Sequence, residues 1–379
     1  MIDLECPCRV AVSWIVSSLV LGLAMAPASP ASCAEIHRIA GEGDLEAVKA
    51  AIAEDPELIH ARGDHDQTPL FFAGSGNHLA VMKFLIANGA DVNAGDDYLD
   101  TPLHMMAYKN LTGPMKVLLE SGAKIDARNH GEQTPLHYGA LADRSEAVAV
   151  LVEAGADLEL EDDYGRTPLV LCARERGGPQ TIKILLEAGA DLEKKDKYDD
   201  DALDLAAWRG KEEVVNLLFD AGAKVPGGGR ASKELFEEAA SHGLAKLFDA
   251  LIEAGGDPGF ALSDGRSLMH SAATGGSVEI VKGLASRGLQ IDQPDLVGWR
   301  PLHYAARDGR TECVEWLVKK KAEIDSRNLM GQTAYNISVE REMTSVSALL
   351  KTAGADTGPV RFPALKGPYL GQDPPGDTA

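Results

Sequence analysis

Aromatic side chains are scarce in this sequence: four Trp, eight Tyr and eight Phe make up 5% of 379 residues. A β-sandwich core of large rings fits that supply poorly. Small helices packed closely through Ala, Leu and Gly fit it well. Cysteine is scarcer still. Cys6, Cys8 and Cys33 fall in the first 34 residues, and Cys172 and Cys313 are too few and too far apart for a disulfide framework. No Cys-x-x-Cys pair of a zinc site occurs. Basic charge is short: 37 Lys and Arg against 58 Asp and Glu leave −21 at pH 7. That balance argues against a nucleic-acid partner, which normally needs a basic face. It favours solubility or a locally basic partner. Also missing are a P-loop, a dinucleotide fingerprint, a Gly-x-Ser-x-Gly elbow and a His-Glu-x-x-His pair.

Long apolar runs are absent after residue 26. The one that exists, "VAVSWIVSSLVLGLAMA" from Val10 to Ala26, is followed by the small-residue stretch "APASPASCAE". This is the order of a secretory signal, with cleavage expected after Ala34. The front, "MIDLECPCR", departs from the pattern: Asp3 and Glu5 stand where positive charge is usual. An uncleaved segment would instead be a membrane anchor, slightly short for a span. Lipidation at Cys33 is a third option, with Pro30 where a lipobox has Leu.

The rest of the chain repeats itself. "TPLF" begins at Thr68, "TPLH" at Thr101 and Thr134, and "TPLV" at Thr167, 33 residues apart each time. "DALD" at Asp201, "ELFE" at Glu234, "SLMH" at Ser267, "RPLH" at Arg300 and "TAYN" at Thr333 keep the beat. One step, into Asp201, is 34, and the extra residue is expected in the Gly/Pro turn "RERGGPQ", where insertions are tolerated. A second word, "GAD" and its variants, recurs from Gly89 to Gly354.

One unit is readable in physical terms. Thr167 caps a helix, and Pro168 sits at its first position, where no N–H partner is needed. Leu169, Cys172 and Ala173 share one face. "TIKILLEA" follows as a second amphipathic helix with Ile182, Leu185 and Leu186 inward. Gly189 ends it in the left-handed conformation. Two such helices cannot bury their apolar faces alone, but stacked units can.

With "TPLHYGA" from Thr134, "PLHYAA" from Pro301 and the repeated "GAD", residues 35–357 resemble ankyrin repeats. The resemblance implies an all-α ankyrin-repeat solenoid of about ten helix-turn-helix units with β-hairpin-like loops. Residues 1–34 are the signal or anchor, 35–225 a first block of repeats, 226–357 a second block of the same continuous stack, and 358–379 a Pro/Gly-rich tail. The triple Gly in "KVPGGGRASKELF" is read as a softened joint. At roughly 10 Å per unit the stack would be on the order of 90–100 Å long. In the tail, "GPYLGQDPPG" resembles a segment of exported bacterial proteins.

Candidate chemistry reduces to structure. His104, His137, His270 and His303 share one place in the repeat word, too far apart to share a metal ion. The resemblance makes them hydrogen-bonding residues between hairpin and helix. Cys172 and Cys313 read as buried packing groups. The acidic words "EDD" and "DKYDDD" lack EF-hand spacing and read as turns. "NLT" at Asn110 and "NIS" at Asn336 are formal glycosylation words. No cofactor, metal or catalytic residue is expected.

What the repeats offer is a concave face of loop tips and first helices. By resemblance, the positions before each Thr-Pro word belong to it: His65, Tyr98, Tyr164 with Arg166, Tyr198 and Trp299. So do those seven and eight residues after the Thr: Tyr108, Arg174, Trp208 with Arg209, and Arg307. Six of the chain's twelve Tyr and Trp fall on these positions, and Tyr, Trp and Arg dominate interface hot spots. Tyr164 and Arg166 are expected to face out together. The expected function is an exported, monomeric, non-catalytic scaffold for a protein partner, with no nucleic acid. The alternatives are a spacer presenting its tail and an accessory subunit of an exported enzyme.

Overall fold

The computed structural model describes residues 31–226 and 230–360. Most of the export segment, the triple Gly 227–229 and the tail from 361 onward lie outside the described residues. Within them are twenty α-helices and no strand, only one isolated β-bridge between Ala261 and Ser267. The chain divides into two compact units, one of residues 1–205 with 217–223, the other of 206–216 with 224–379.

In the first unit the helices come in pairs. They are α1 (Ala31–Glu42) with α2 (Leu45–Glu54), α3 (Pro69–Ser75) with α4 (Leu79–Ala87), and α5 (Pro102–Tyr108) with α6 (Thr112–Glu120). α7 (Pro135–Leu141) with α8 (Ser145–Glu153) and α9 (Pro168–Arg174) with α10 (Pro179–Glu187) follow. α1, α3, α5, α7 and α9 pack one on the next as an inner row, and α2, α4, α6, α8 and α10 as an outer row. α11 (Ala202–Trp208) and α12 (Glu212–Asp220) are divided between the units. The second unit holds α13 (Arg230–His242) to α20 in the same two-row order. Its pairs after α13 and α14 (Ala245–Glu253) are α15 (Leu268–Gly275) with α16 (Val278–Ser286), α17 (Pro301–Arg307) with α18 (Thr311–Lys319), and α19 (Ala334–Glu340) with α20 (Thr344–Thr352).

Most inner helices run only seven residues, too short to persist alone. They depend on caps and burial. Thr167 Oγ1 accepts the N–H of Val170 at 3.4 Å. Pro168 occupies the first position, as the sequence predicts. Leu169 to Ala173 are all buried, and only Arg174 at the end of α9 reaches solvent. In α10, Ile182 and Leu185 are buried with Thr181, while Leu186 is only half-buried. Gly189 has φ +92°. The inserted residue lies where the period puts it. Glu175–Gly178, four residues, separate α9 from α10, whereas two or three residues link the other pairs, three for example between α5 and α6. A Cβ at Gly177 would come within 2.1 Å of Cys172 Sγ, so this turn needs glycine.

A histidine brace ties four of the repeats to the next. Thr134 donates its N–H to His137 Nδ1 at 3.1 Å, and His137 Nε2 donates to the carbonyl of Arg166 at 3.0 Å. His104 makes the same pair with Thr101 and the Gln133 carbonyl, and His270 with Ser267 and the Trp299 carbonyl. His303 does so with Arg300 and the Ser326 carbonyl. Accepting at Nδ1 and donating at Nε2 fixes a neutral imidazole with its proton on Nε2. Asn336 confirms the polarity: its Oδ1 accepts the Thr333 N–H at 3.1 Å and its Nδ2 donates to the Gly358 carbonyl at 3.0 Å. Burial lowers all four histidines, His137 and His303 to about 4.

Candidate interaction surface

Six of the loops between pairs end in tips built from one buried Asp or Asn each. Asp162 Oδ1 accepts the N–H groups of Tyr164 at 2.9 Å and Arg166 at 3.0 Å. Asp96, Asn129, Asp196, Asp295 and Asn328 do the same two and four residues on. The turn-forming habit of Asx explains this. The fourth tip residue sits at positive φ, which suits Gly165 and strains Leu99 at φ 61°. Each tip donates one N–H to the tip before it: His130 to the Tyr98 carbonyl, Asp163 to that of Gly131, and Lys197 to that of Tyr164, at 2.9–3.0 Å. In the first unit the tips therefore form one continuous row.

The outermost side chains of that row are Tyr98, Tyr164 and Tyr198, 62%, 50% and 65% exposed. Tyr108, at the end of α5, is also exposed, with its ring 6.3 Å from that of Tyr138. Arg174 ends α9 and lies 3.6 Å from Glu175. Arg166 corrects an expectation. Its side chain does not face out; it is 9% exposed and grips the buried Asp162 carboxylate with Nη2 at 2.6 Å and Nε at 3.0 Å. Its guanidinium lies 4.5 Å from the Tyr164 ring centroid. Hydrogen bonds from Arg166 and from the loop backbone outweigh burial and hold Asp162 below the usual carboxylate range. Arg166 is thus a structural residue of the tip.

Of the remaining candidates, Trp208 and Arg209 belong to the second unit, exposed and stacked at 4.7 Å. Trp299 and Arg307 are half-buried there. The Trp299 ring lies 5.1 Å from that of Tyr304, and Arg307 lies over Tyr304 at 5.0 Å and grips Asp308 with two hydrogen bonds. That cluster reads as tip packing.

Sequence reading missed two things. Tyr138 and Tyr304, next to the brace histidines, donate their hydroxyls to Asp100 and Asp295 at 2.7 Å; the words "HYGA" and "HYAA" carried the signal. The second unit's tips expose aliphatic pairs instead of tyrosines: Leu296 and Val297, then Leu329 and Met330, 52–71% exposed. "DLVG" and "NLMG" stood in plain view.

Other candidates have structural uses. Cys172 and Cys313 are buried, and burial pushes the Cys313 thiol up to about 11. Asn110 caps the next repeat, accepting from the Ala147 N–H and donating to Glu146. Among the described residues no His, Cys, Asp or Glu group is arranged to hold a metal ion, and no helix is long and apolar enough to cross a membrane. The expected cleavage point after Ala34 falls inside α1. A cleft of about 420 Å³ under the first unit's tips is lined chiefly by charged groups from Arg128 to Lys197.

One unit replaces the brace with acids. Asp201 donates its N–H to Asp204 Oδ2 at 3.1 Å, and Asp204 donates its N–H back to Asp201 Oδ1 at 2.9 Å. Burial, then the Asp201 charge, pushes Asp204 up to about 6. A raised carboxyl holds its proton in the native state. Its contribution is present below the unfolded value and is lost as pH rises through 6. At neutral pH the pair therefore costs stability. Replacing Asp204 with Asn, on the precedent of Asn336, is expected to stabilise the protein at pH 7.5 by about 1–2 kcal/mol, after discounting for partial exposure. Urea midpoints at pH 7.5 check this; a midpoint no higher than the parent's refutes it.

Comparison with known families agrees with this architecture. The family described as ankyrin repeats (three copies) matches residues 36–129, 94–162, 115–196, 136–226, 236–328 and 292–359.

Proposed function

Because the chain belongs to the ankyrin-repeat family, whose repeats are interaction modules and typically non-catalytic, we propose that it is an exported scaffold. It captures a protein partner on the tips and first-helix faces of its first unit and performs no reaction of its own. The observation that carries this is the exposed tyrosine row. Tyr98, Tyr164 and Tyr198 hold equivalent tip positions, are held there by buried Asp side chains, and have half or more of their surface in water. Rigid aromatic side chains presented this way are the anchors interfaces favour. Export rests on the order of the N-terminal segment, a 17-residue apolar run before a small-residue stretch.

The test is capture from an envelope fraction by the parent and by Tyr98→Ser/Tyr164→Ser/Tyr198→Ser. The variant is expected to lose at least 90% of the captured partner while its melting temperature stays within about 2 °C, since exposed substitutions cost little. Undiminished capture would end the proposal for this surface.

A further inference from the structure

The tyrosine row does not stand in neutral surroundings. The five tip segments of the first unit, 62–68, 95–101, 128–134, 161–167 and 194–201, carry thirteen carboxylates against six basic side chains, a net of −7 with His neutral. Several of the acids are inside the tips, where they hold the backbone. Others flank the rings in solvent: Asp97 beside Tyr98, Asp163 beside Tyr164, Asp199 beside Tyr198. Two of these have weak surface partners. His65 lies 3.9 Å from Asp97, and Lys195 lies 3.2 Å from Asp199. Lys197, the nearest cation to Tyr198 in sequence, spends its Nζ on the Asp163 carbonyl at 2.5 Å.

The row also displays, within itself, the contact such a ring makes. Arg166 lies against the Tyr164 ring at 4.5 Å while its charge is met by Asp162. An aromatic face with a carboxylate beside it is thus already used here to seat a guanidinium. Tyr98 and Tyr198 repeat the ring and the neighbouring acid, and among the described residues no cation lies over either ring.

We propose that this row receives an extended, arginine- or lysine-bearing segment of a protein partner, laid across successive tips with its cations against the exposed tyrosines. The inference rests on the protein-binding reading above and narrows the partner's chemistry. Spacing narrows it further. Consecutive tips are joined by single backbone hydrogen bonds and repeat at roughly 10 Å, the separation of packed helices. An extended chain advances about 3.3 Å per residue, so one tip corresponds to about three residues. Cations at every third position would keep register with the tips, meeting open rings at Tyr98 and Tyr198, with Gly131 in place of a ring at the tip between Tyr98 and Tyr164.

The probe is a labelled twelve-residue Gly/Ser peptide with Arg at positions 2, 5, 8 and 11. Its control is the same composition with the four Arg contiguous. Binding to the full chain is followed by fluorescence anisotropy at 50 and 300 mM salt. The spaced peptide is expected to bind at least fivefold more tightly than the contiguous one, and to weaken at least tenfold at the higher salt. Tyr98→Ser/Tyr198→Ser should weaken it at least tenfold, and Asp97→Asn/Asp163→Asn at least threefold. Glu120→Gln/Glu153→Gln removes the same charge from the exposed ends of α6 and α8 and should change nothing. An equal loss with that last pair, or none with the tyrosine variant, would show attraction to a generally acidic protein and overturn the proposal. If the peptide fails to bind while the tyrosine variant still loses the envelope partner, the basic-segment inference falls and the scaffold reading stands. If neither is seen, both fall.

Discussion

Removing the imidazole at position 137 is expected to destabilise the protein by about 3–5 kcal/mol, among the largest effects available to one substitution here. His137 is wholly buried. In His137→Ala the Thr134 N–H loses its partner inside the protein, the Arg166 carbonyl keeps only the Asp162 N–H, and a cavity opens between two repeats. The orphaned amide carries its own desolvation cost, and the lost imidazole bond and the cavity add to it. His137→Asn separates these effects. Asn336 already performs both halves of the brace in α19, accepting from Thr333 and donating to Gly358. The Asn variant should therefore recover more than half of what Ala loses. Urea denaturation of parent, Ala and Asn proteins checks the order; equal losses in the two variants would mean that the ring's volume matters and its hydrogen bonds do not.

Acid should weaken the same junctions. His137 and His303 titrate at about 4 in the folded chain because burial disfavours the imidazolium, against about 6.5 when unfolded. Their contribution is complete above pH 6.5 and is lost as pH falls through 4, because the unfolded chain binds the proton first. By pH 5 each costs about 2 kcal/mol relative to neutral pH. His104 and His270 shift in the same direction. Opposing them are Asp204 and Glu238. Burial and then the neighbouring Glu237 and Glu234 push Glu238 up to about 7, so it gains stability on acidification. The difference between parent and His303→Asn cancels these other groups. That difference should change by about 2 kcal/mol between pH 7.5 and pH 5. Parallel pH profiles for the two proteins would refute the assignment.

The fold was largely legible because its determinants are local. Thr-Pro at the helix start, Gly at the helix end and the 33-residue beat each act within a few residues, and one inserted residue showed itself as a step of 34. The four histidines were readable as bracing residues through the family resemblance of their repeat word. The surface was harder. Tyr164 and Arg166 are two residues apart and look alike as hot-spot types, yet one faces water and the other is buried. The difference is made by Asp162, whose carboxylate turns inward to hold the loop backbone and draws the guanidinium with it. Nothing in "EDDYGR" says which of three acids does so. The aliphatic tips at Leu296 and Leu329 were overlooked for another reason: attention to Tyr, Trp and Arg selects against them.

The brace also gives four of the repeat junctions their own spectroscopic labels. An Nε2 proton donated to a buried carbonyl exchanges slowly with solvent, and an Nδ1 that accepts an amide proton has a nitrogen resonance set by that bond. His104, His137, His270 and His303 sit at four different junctions. Their ring signals would broaden or vanish one at a time as individual junctions open. Opening at these four junctions can thus be watched without attaching any probe.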